Sequence, residues 1–184
     1  TGDTSSSWIT TQSLPQFAQF VGGGPYPNSN GRVYASGGEN PLQCPLTTQD
    51  EIFMATPQLS SGSILIWQPT TPLPQPLFDH AMNLIQNTLI VTGGTYRQYL
   101  TPSGTDNLPL QVRDSVYTAQ IDTGGNIGTW TQGPDLPAAR SDHTTVVYNN
   151  HIYILGGLSA TASTPFPIEI WYAPVTCGIL PTCS

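Results

Sequence analysis

Hydrophobic residues along this chain fall into short β-branched and aromatic runs separated by polar turns. After Asp142-His143 come TTVVYNN, HIYIL and Gly156-Gly157; after Asp79-His80 come AMNLIQN, TLIVT and Gly93-Gly94. Each stretch reads as two β runs joined by a tight Asn-containing turn. A long loop follows each doublet, and then a third run: EIFMA at 51–55, DSVYTA at 114–119 and IEIWYA at 168–173. A turn carrying Gly, as at Ser60-Ser61-Gly62 and Thr123-Gly124-Gly125, leads into a fourth run that ends in Trp, ILIW or IGTW. The predicted unit is four short antiparallel strands, the pattern of a propeller blade rather than a sandwich or a solenoid rung.

The unit is written three times. Trp8, Trp67 and Trp130 stand at one offset from Leu14-Pro15, Leu73-Pro74 and Leu136-Pro137, and a Gly-Gly doublet follows each pair, at Gly37-Gly38, Gly93-Gly94 and Gly156-Gly157. The Trp-to-Trp steps are 59 and 63 residues, and Pro74 to Gly93 and Pro137 to Gly156 both span 19. Self-similarity at such a period marks a repeat architecture. The physics of a repeat explains the residue types. A lone blade cannot bury both its faces, so each Trp is expected to cover apolar surface on an adjoining blade. The glycines permit a sharp exit and close approach of neighbouring backbone. His80 and His143, each preceded by Asp, recur at one repeat position, which favours a repeated structural hydrogen bond with that Asp over catalysis or metal binding. His151 is assigned to solvent in a strand turn.

These marks resemble the kelch repeat over nearly the whole chain. Gly93-Gly94 with Tyr117 and Trp130, and Gly37-Gly38 with Phe53 and Trp67, match the doublet, third-strand aromatic and fourth-strand Trp of that family. The third copy keeps Gly156-Gly157 and Trp171 but has no fourth-strand Trp, and the first lacks Asp-His and is interrupted by Gly22-Gly23-Gly24-Pro25. The resemblance implies an all-β fold of three four-stranded antiparallel propeller blades. Residues 14–67 would form the first blade, 68–130 the second and 131–184 an incomplete third. A kelch label describes a fold more than a function.

Residues 1–8 align with 123–130, which places an outer strand in segment 1–13, while the last copy ends after its third run, at IEIWYAPV. Three blades are too few to close a propeller, which takes about four to eight. The ends are therefore expected to be completed in trans or by missing blades. In trans, segment 1–13 completes the last blade of a neighbouring copy, giving a ring or a filament. A further alternative has ILPTCS as a substitute last strand held by Cys177 and Cys183.

Composition bears on compartment and partners. Three cysteines are too few for a disulfide scaffold; Cys177 and Cys183 are close enough for a local bridge, leaving Cys44 over, against the alternative of three reduced thiols. The chain has no Lys, only Arg32, Arg97, Arg113 and Arg140 as cations, and 8% charged residues. That neutral, Ser/Thr/Pro/Gly-rich character suits an extracellular or cell-surface protein. The stretches at 69–76 and 158–167 are candidates for O-linked glycans. A net charge of -7 argues against nucleic-acid binding, and no apolar run approaches membrane-spanning length.

The loops at 39–50, 95–113 and 158–167 are longer than hairpins need, and long loops are commonly functional. The middle one carries Tyr96, Arg97, Tyr99 and Arg113, a mixture suited to stacking on a sugar or gripping a carboxylate, with a solvated loop as the bland alternative. Asp79, Asp142 and Arg140 are the repeated acid/base candidates, and repetition favours structural duty. No paired CxxC, HxxxH or phosphate-binding glycine loop is present, and no metal or cofactor is expected. The sequence thus points to a non-enzymatic module that self-assembles through residues 1–13, with a ligand- or glycan-binding propeller as the rival.

Overall fold

The computed structural model describes residues 9–15, 31–40, 47–97, 110–159 and 168–175, together with the backbone of 22–25. Every regular element among them is a strand. In chain order these are β1 (Gly22–Pro25), β2 (Val33–Ser36), β3 (Glu39–Asn40), β4 (Thr47–Thr48), β5 (Ile52–Ala55), β6 (Gln68–Thr70), β7 (Ala81–Ile85), β8 (Thr88–Thr92), β9 (Thr95–Tyr96), β10 (Gln111–Val112), β11 (Val116–Gln120), β12 (Thr131–Gln132), β13 (Thr144–Tyr148), β14 (His151–Leu155) and β15 (Ile170–Pro174).

They form two four-stranded sheets, β1-β2-β5-β6 and β7-β8-β11-β12, one three-stranded sheet, β13-β14-β15, and two ribbons, β3-β4 and β9-β10. All pairs are antiparallel, and no sheet closes on itself as a barrel. The arrangement resembles propeller architecture, but it is not three uniform four-stranded blades. The third sheet carries three strands among the described residues.

Local chemistry accounts for the hairpins. Asn149 and Asn150 both adopt positive φ, at 48° and 57°, as a two-residue turn between right-twisted strands demands. The turn fixes a register that pairs Tyr148 with His151 and Thr144 with Leu155. Gln86, at φ 53°, begins the equivalent turn between β7 and β8. The registers then repeat: Ala35 pairs with Phe53, Val91 with Tyr117 and Ile154 with Trp171.

Three differences from the sequence expectation have physical causes. The Gly22–Pro25 stretch, expected as an intrusion, is the inner strand of the first sheet; glycines pair through backbone alone and leave no side-chain alternation to read. The outer strands begin after the tryptophans, at Gln68 and Thr131, so β6 lies just past the expected boundary at 67 and ILIW is not a strand. The loops at 39–50 and 95–113 are ribbons at their bases, where β3 pairs with β4 and β9 with β10. Most of loop 158–167 lies outside the described residues.

Two apolar layers hold the sheets side by side. Tyr34, Ile52 and Met54 of the first sheet pack on Met82, Leu89, Val91 and Tyr117 of the second, with Trp130 against the cluster. Ile85, Ile90 and Val116, on the opposite face of the second sheet, pack on Ile152, Ile154 and Trp171 of the third. Ile52, Leu77 and Val91 are fully buried, and each such side chain contributes roughly 1.5–3 kcal/mol by leaving water. The inner strands β1, β7 and β13 lie beside one another, and Asn83 on β7 donates from Nδ2 to Thr145 Oγ1 on β13.

Candidate functional site

Each sheet is joined to the next by the same device. The last residue of the second strand carries a hydroxyl, the Gly-Gly doublet follows, and a His from the next sheet reaches back to it. His80 Nε2 and Ser36 Oγ lie 2.7 Å apart, and His143 Nε2 and Thr92 Oγ1 2.8 Å. Beside each pair, Gly38 N donates to Leu77 O and Gly94 N to Arg140 O, both at 2.8 Å. The doublet must be glycine because the next sheet's backbone comes so near. A Cβ on Gly37 would stand 2.2 Å from Leu77 O, and one on Gly93 2.2 Å from Arg140 O.

Both imidazoles are buried, and burial holds each at about 4; the neighbouring His143 adds to the effect on His80, and Arg140 to that on His143. They are neutral connectors at neutral pH. The partner expected from the sequence, the preceding Asp, is not the one found. Asp79 and Asp142 hold left-handed backbone, at φ 55° and 52°, and the Nδ1 atoms of His80 and His143 have no hydrogen-bond partner among the described residues. The two aspartates meet each other instead: Asp142 N donates to Asp79 O at 3.0 Å, and the carboxyls share a hydrogen bond. Burial, then Asp142 and Glu39, raise Asp79 to about 7.

Arg140, the third acid/base candidate, is 1% exposed. Its guanidinium lies 3.8 Å from the centre of the Trp171 ring, and Nη1 donates to Gly156 O at 2.9 Å. That is a structural clamp between the Leu-Pro turn and the third sheet. Among the described residues no group of three or more His, Cys, Asp and Glu is placed to hold a metal ion. A cavity of about 250 Å³ lined by Arg32, Met54, Gln58, Leu65 and Ile66 has no carboxylate in its wall.

The candidate loop residues already have protein partners. Arg97 Nε donates to Glu39 Oε1 at 2.8 Å, bridging the two ribbons, and its guanidinium lies 5.9 Å from the Phe78 ring centre. Arg113 stands 5.6 Å over Tyr96. Tyr99 lies outside the described residues, as do Trp8, Cys44, Cys177 and Cys183. Trp67 does not cover a sheet with its polar edge: Nε1 donates to Gln12 O at 3.2 Å. Residues 9–15 join no sheet and run beside 64–67, where Thr11 Oγ1 accepts from Ile64 N and Gln12 N donates to Ile64 O.

The feature that the sequence did not disclose is the outer face of the third sheet. Val146, Tyr148, Ile170 and Tyr172 are 48%, 71%, 61% and 67% exposed, beside half-buried Tyr153 and Leu155. Tyr153 and Tyr172 stack with ring centres 5.7 Å apart. The equivalent faces of the first two sheets are the ones buried in the apolar layers. Counting the strand alternation of TTVVY, HIYIL and IEIWYA onto one face was the signal that would have found it.

No family model matches the chain. A Kelch domain-containing protein of Saccharolobus solfataricus is 40% identical over 43 residues, which are 23% of this chain and 6% of that protein. The solved structure of YjhT superposes with a TM-score of 0.65 at 14% identity, covering 89% of this chain and 44% of the YjhT chain. The chain therefore spans less than half of YjhT and a small part of the archaeal protein. The repeated registers and these two matches support a link to the kelch-type propeller superfamily at the level of fold.

Proposed function

We propose that the chain is a non-enzymatic structural or adhesive subunit, extracellular or at the cell surface, that assembles by lending its N-terminal segment to a neighbouring copy. The observation that carries this reading is the free edge of β15. In the second sheet, Tyr117 and Thr118 pair with the outer strand β12; the matching positions on β15, Trp171 and Tyr172, pair with β14 on one side and have no outer strand on the other among the described residues. In sequence register with Trp67 and Trp130, Ile9 and Thr10 correspond to the first residues of β6 and β12, and Ile9 is 82% exposed. An unpaired strand edge is a template for a strand from another chain.

The low charge and the Ser/Thr/Pro-rich stretches favour the extracellular setting. The rival ligand-binding reading is disfavoured because Arg97 and Arg113 are engaged by Glu39, Phe78 and Tyr96. The test is removal of residues 1–13. The truncated chain is expected to keep its β-sheet circular dichroism and to lose assembly by size and electron microscopy. Assembly at the wild-type level after truncation refutes the strand donation.

A further inference from the structure

We propose that the cleft at one end of the first sheet is a binding site for a small monocarboxylic acid with an apolar body, and that Arg32 is the group that holds its carboxylate. This goes beyond the assembly reading above and uses neither residues 1–13 nor the edge of β15. The cleft opens where β2 begins and β5 ends, at the end of the sheet opposite the β3-β4 ribbon. Val33 pairs with Ala55 there, and Met54 with Gln68 of β6. Strand alternation puts Arg32 on the face of Tyr34, which packs on the second sheet. The half-buried guanidinium therefore stands at the rim of that apolar layer, in a cavity of about 250 Å³ whose apolar wall is Met54, Ala55, Leu65 and Ile66.

The second sheet fixes the guanidinium in place. Tyr34 Oη donates to Gly125 O at 2.8 Å, which ties the turn between β11 and β12 to the first sheet. Arg32 lies so close against that turn that a Cβ on Gly125 would stand 1.9 Å from Nη1 and 2.5 Å from Cζ. The turn's own carboxylate is already engaged: Asp122 Oδ1 accepts from Asn126 N and Oδ2 from Asn126 Nδ2, at 2.8 and 2.9 Å. Among the described residues no carboxylate lines the cavity, and Arg32 makes no side-chain hydrogen bond or ion pair. The other three cations of the chain differ. Arg97 has Glu39, Arg113 has the Tyr96 ring, and Arg140 has the Gly156 carbonyl and the Trp171 ring.

The chemistry of the wall selects the ligand. A guanidinium presents parallel N–H donors whose geometry matches a carboxylate. A single cation in a chain of net charge -7 suits a monoanion rather than a multiply charged phosphate, which the rest of the molecule repels. Leu65 and Ile66 are both 64% exposed, an uncovered apolar pair beside the charge, so the remainder of the ligand must be apolar to gain from them. A cavity of about 150 Å³ takes up benzene, so the space here holds one ring or a short alkyl chain besides the carboxylate. Gln58 and Gln68 bring amide groups to the same wall as further donors to the anion. Such a carboxylate belongs either to a free organic acid or to the carboxyl end of a peptide whose last residue is apolar.

The test is a proton–nitrogen correlation NMR titration of the full chain, with phenylpropionate as the probe. The acid is expected to shift the amide signals of Arg32 and of residues 54–58 and 65–68. Phenylpropanamide, which keeps the ring and lacks the charge, should bind at least about ten-fold more weakly. Arg32→Gln should cost the acid a similar factor and leave binding of the amide unchanged. Leu65→Glu changes an exposed side chain and sets a negative charge in the wall, so it should abolish acid binding with an unaltered thermal melt. A short acetylated peptide ending in phenylalanine separates the two sources. Tighter binding of that free-ended peptide than of phenylpropionate assigns a chain end, and the reverse order assigns a free acid. No shifts up to the solubility of the probe, acid and amide binding alike, or Arg32→Gln and Leu65→Glu variants that bind like wild type would each overturn the proposal.

Discussion

Alanine at Gly93 and, separately, at Gly156 divides backbone strain from packing between sheets. Both glycines hold left-handed backbone, at φ 57° and 65°, so each substitution carries the same conformational cost of roughly 1–2 kcal/mol. At Gly156 that is the whole expected effect, because the new methyl meets nothing within 4 Å among the described residues. At Gly93 it would stand 2.2 Å from Arg140 O and 2.9 Å from His143 Cε1. The carbonyl belongs to the backbone and cannot swing aside, so the third sheet must retreat. Retreat stretches the Gly94 N to Arg140 O and Thr92 to His143 hydrogen bonds, both 2.8 Å, each worth about 1 kcal/mol. Overpacking adds about 1–3 kcal/mol. Gly93→Ala is thus expected to lose roughly 4–7 kcal/mol when these contributions combine, and Gly156→Ala about 1–2 kcal/mol. Urea unfolding followed by tryptophan fluorescence, in dilute solution, measures both. Equal losses, or a larger loss at Gly156, would refute the placement of the joint.

Acid should loosen the joints. His80 and His143 sit at about 4 in the folded chain against an ordinary value near 6.5, so the unfolded chain takes up protons first as pH falls; their contribution is complete above about 6.5 and is lost toward pH 4. Melting temperature measured against pH is expected to fall over that window, and to fall less in His143→Gln. Asp79 acts with the opposite sign: raised to about 7, it favours folding below the ordinary carboxylate range and disfavours it as pH rises through 7, so Asp79→Asn should raise the melting temperature at pH 8. Thr92→Val strands the buried His143 Nε2 and should lose about 1–3 kcal/mol in denaturant titration. Arg140→Lys removes a planar cation from the Trp171 face, and should lower stability by about 1–2 kcal/mol with a change in tryptophan emission.

The hairpins were legible because local chemistry decides them: Asn149-Asn150 tolerates the left-handed backbone that a two-residue turn needs, and HIYIL and TLIVT announce their strands without help from the rest of the chain. The Gly-Gly doublets were legible as sites of close approach, but not what approaches them. The Ser36–His80 and Thr92–His143 pairs span 44 and 51 residues, and nothing local singles out a serine or threonine before a glycine as the partner of a distant histidine. The adjacent Asp was the nearer choice, but Asp79 and Asp142, both in left-handed backbone, bond each other instead. The inner strand at Gly22–Pro25 left no side-chain pattern to read. Tyr96, Arg97 and Arg113 were visible as a cluster of rings and cations, yet the engagement of Arg97 with Glu39 and Phe78 depends on the two ribbons meeting, which only the packed sheets determine.

The proposed completion of the β15 edge by another copy's N-terminal segment can be read out by photocrosslinking from Tyr172. With p-benzoylphenylalanine at that position, and an equal mixture of isotopically light and heavy chains, irradiation is expected to give light–heavy products whose crosslinks map to residues 1–13. Products confined within single chains, or intermolecular crosslinks scattered away from that segment, would contradict the account.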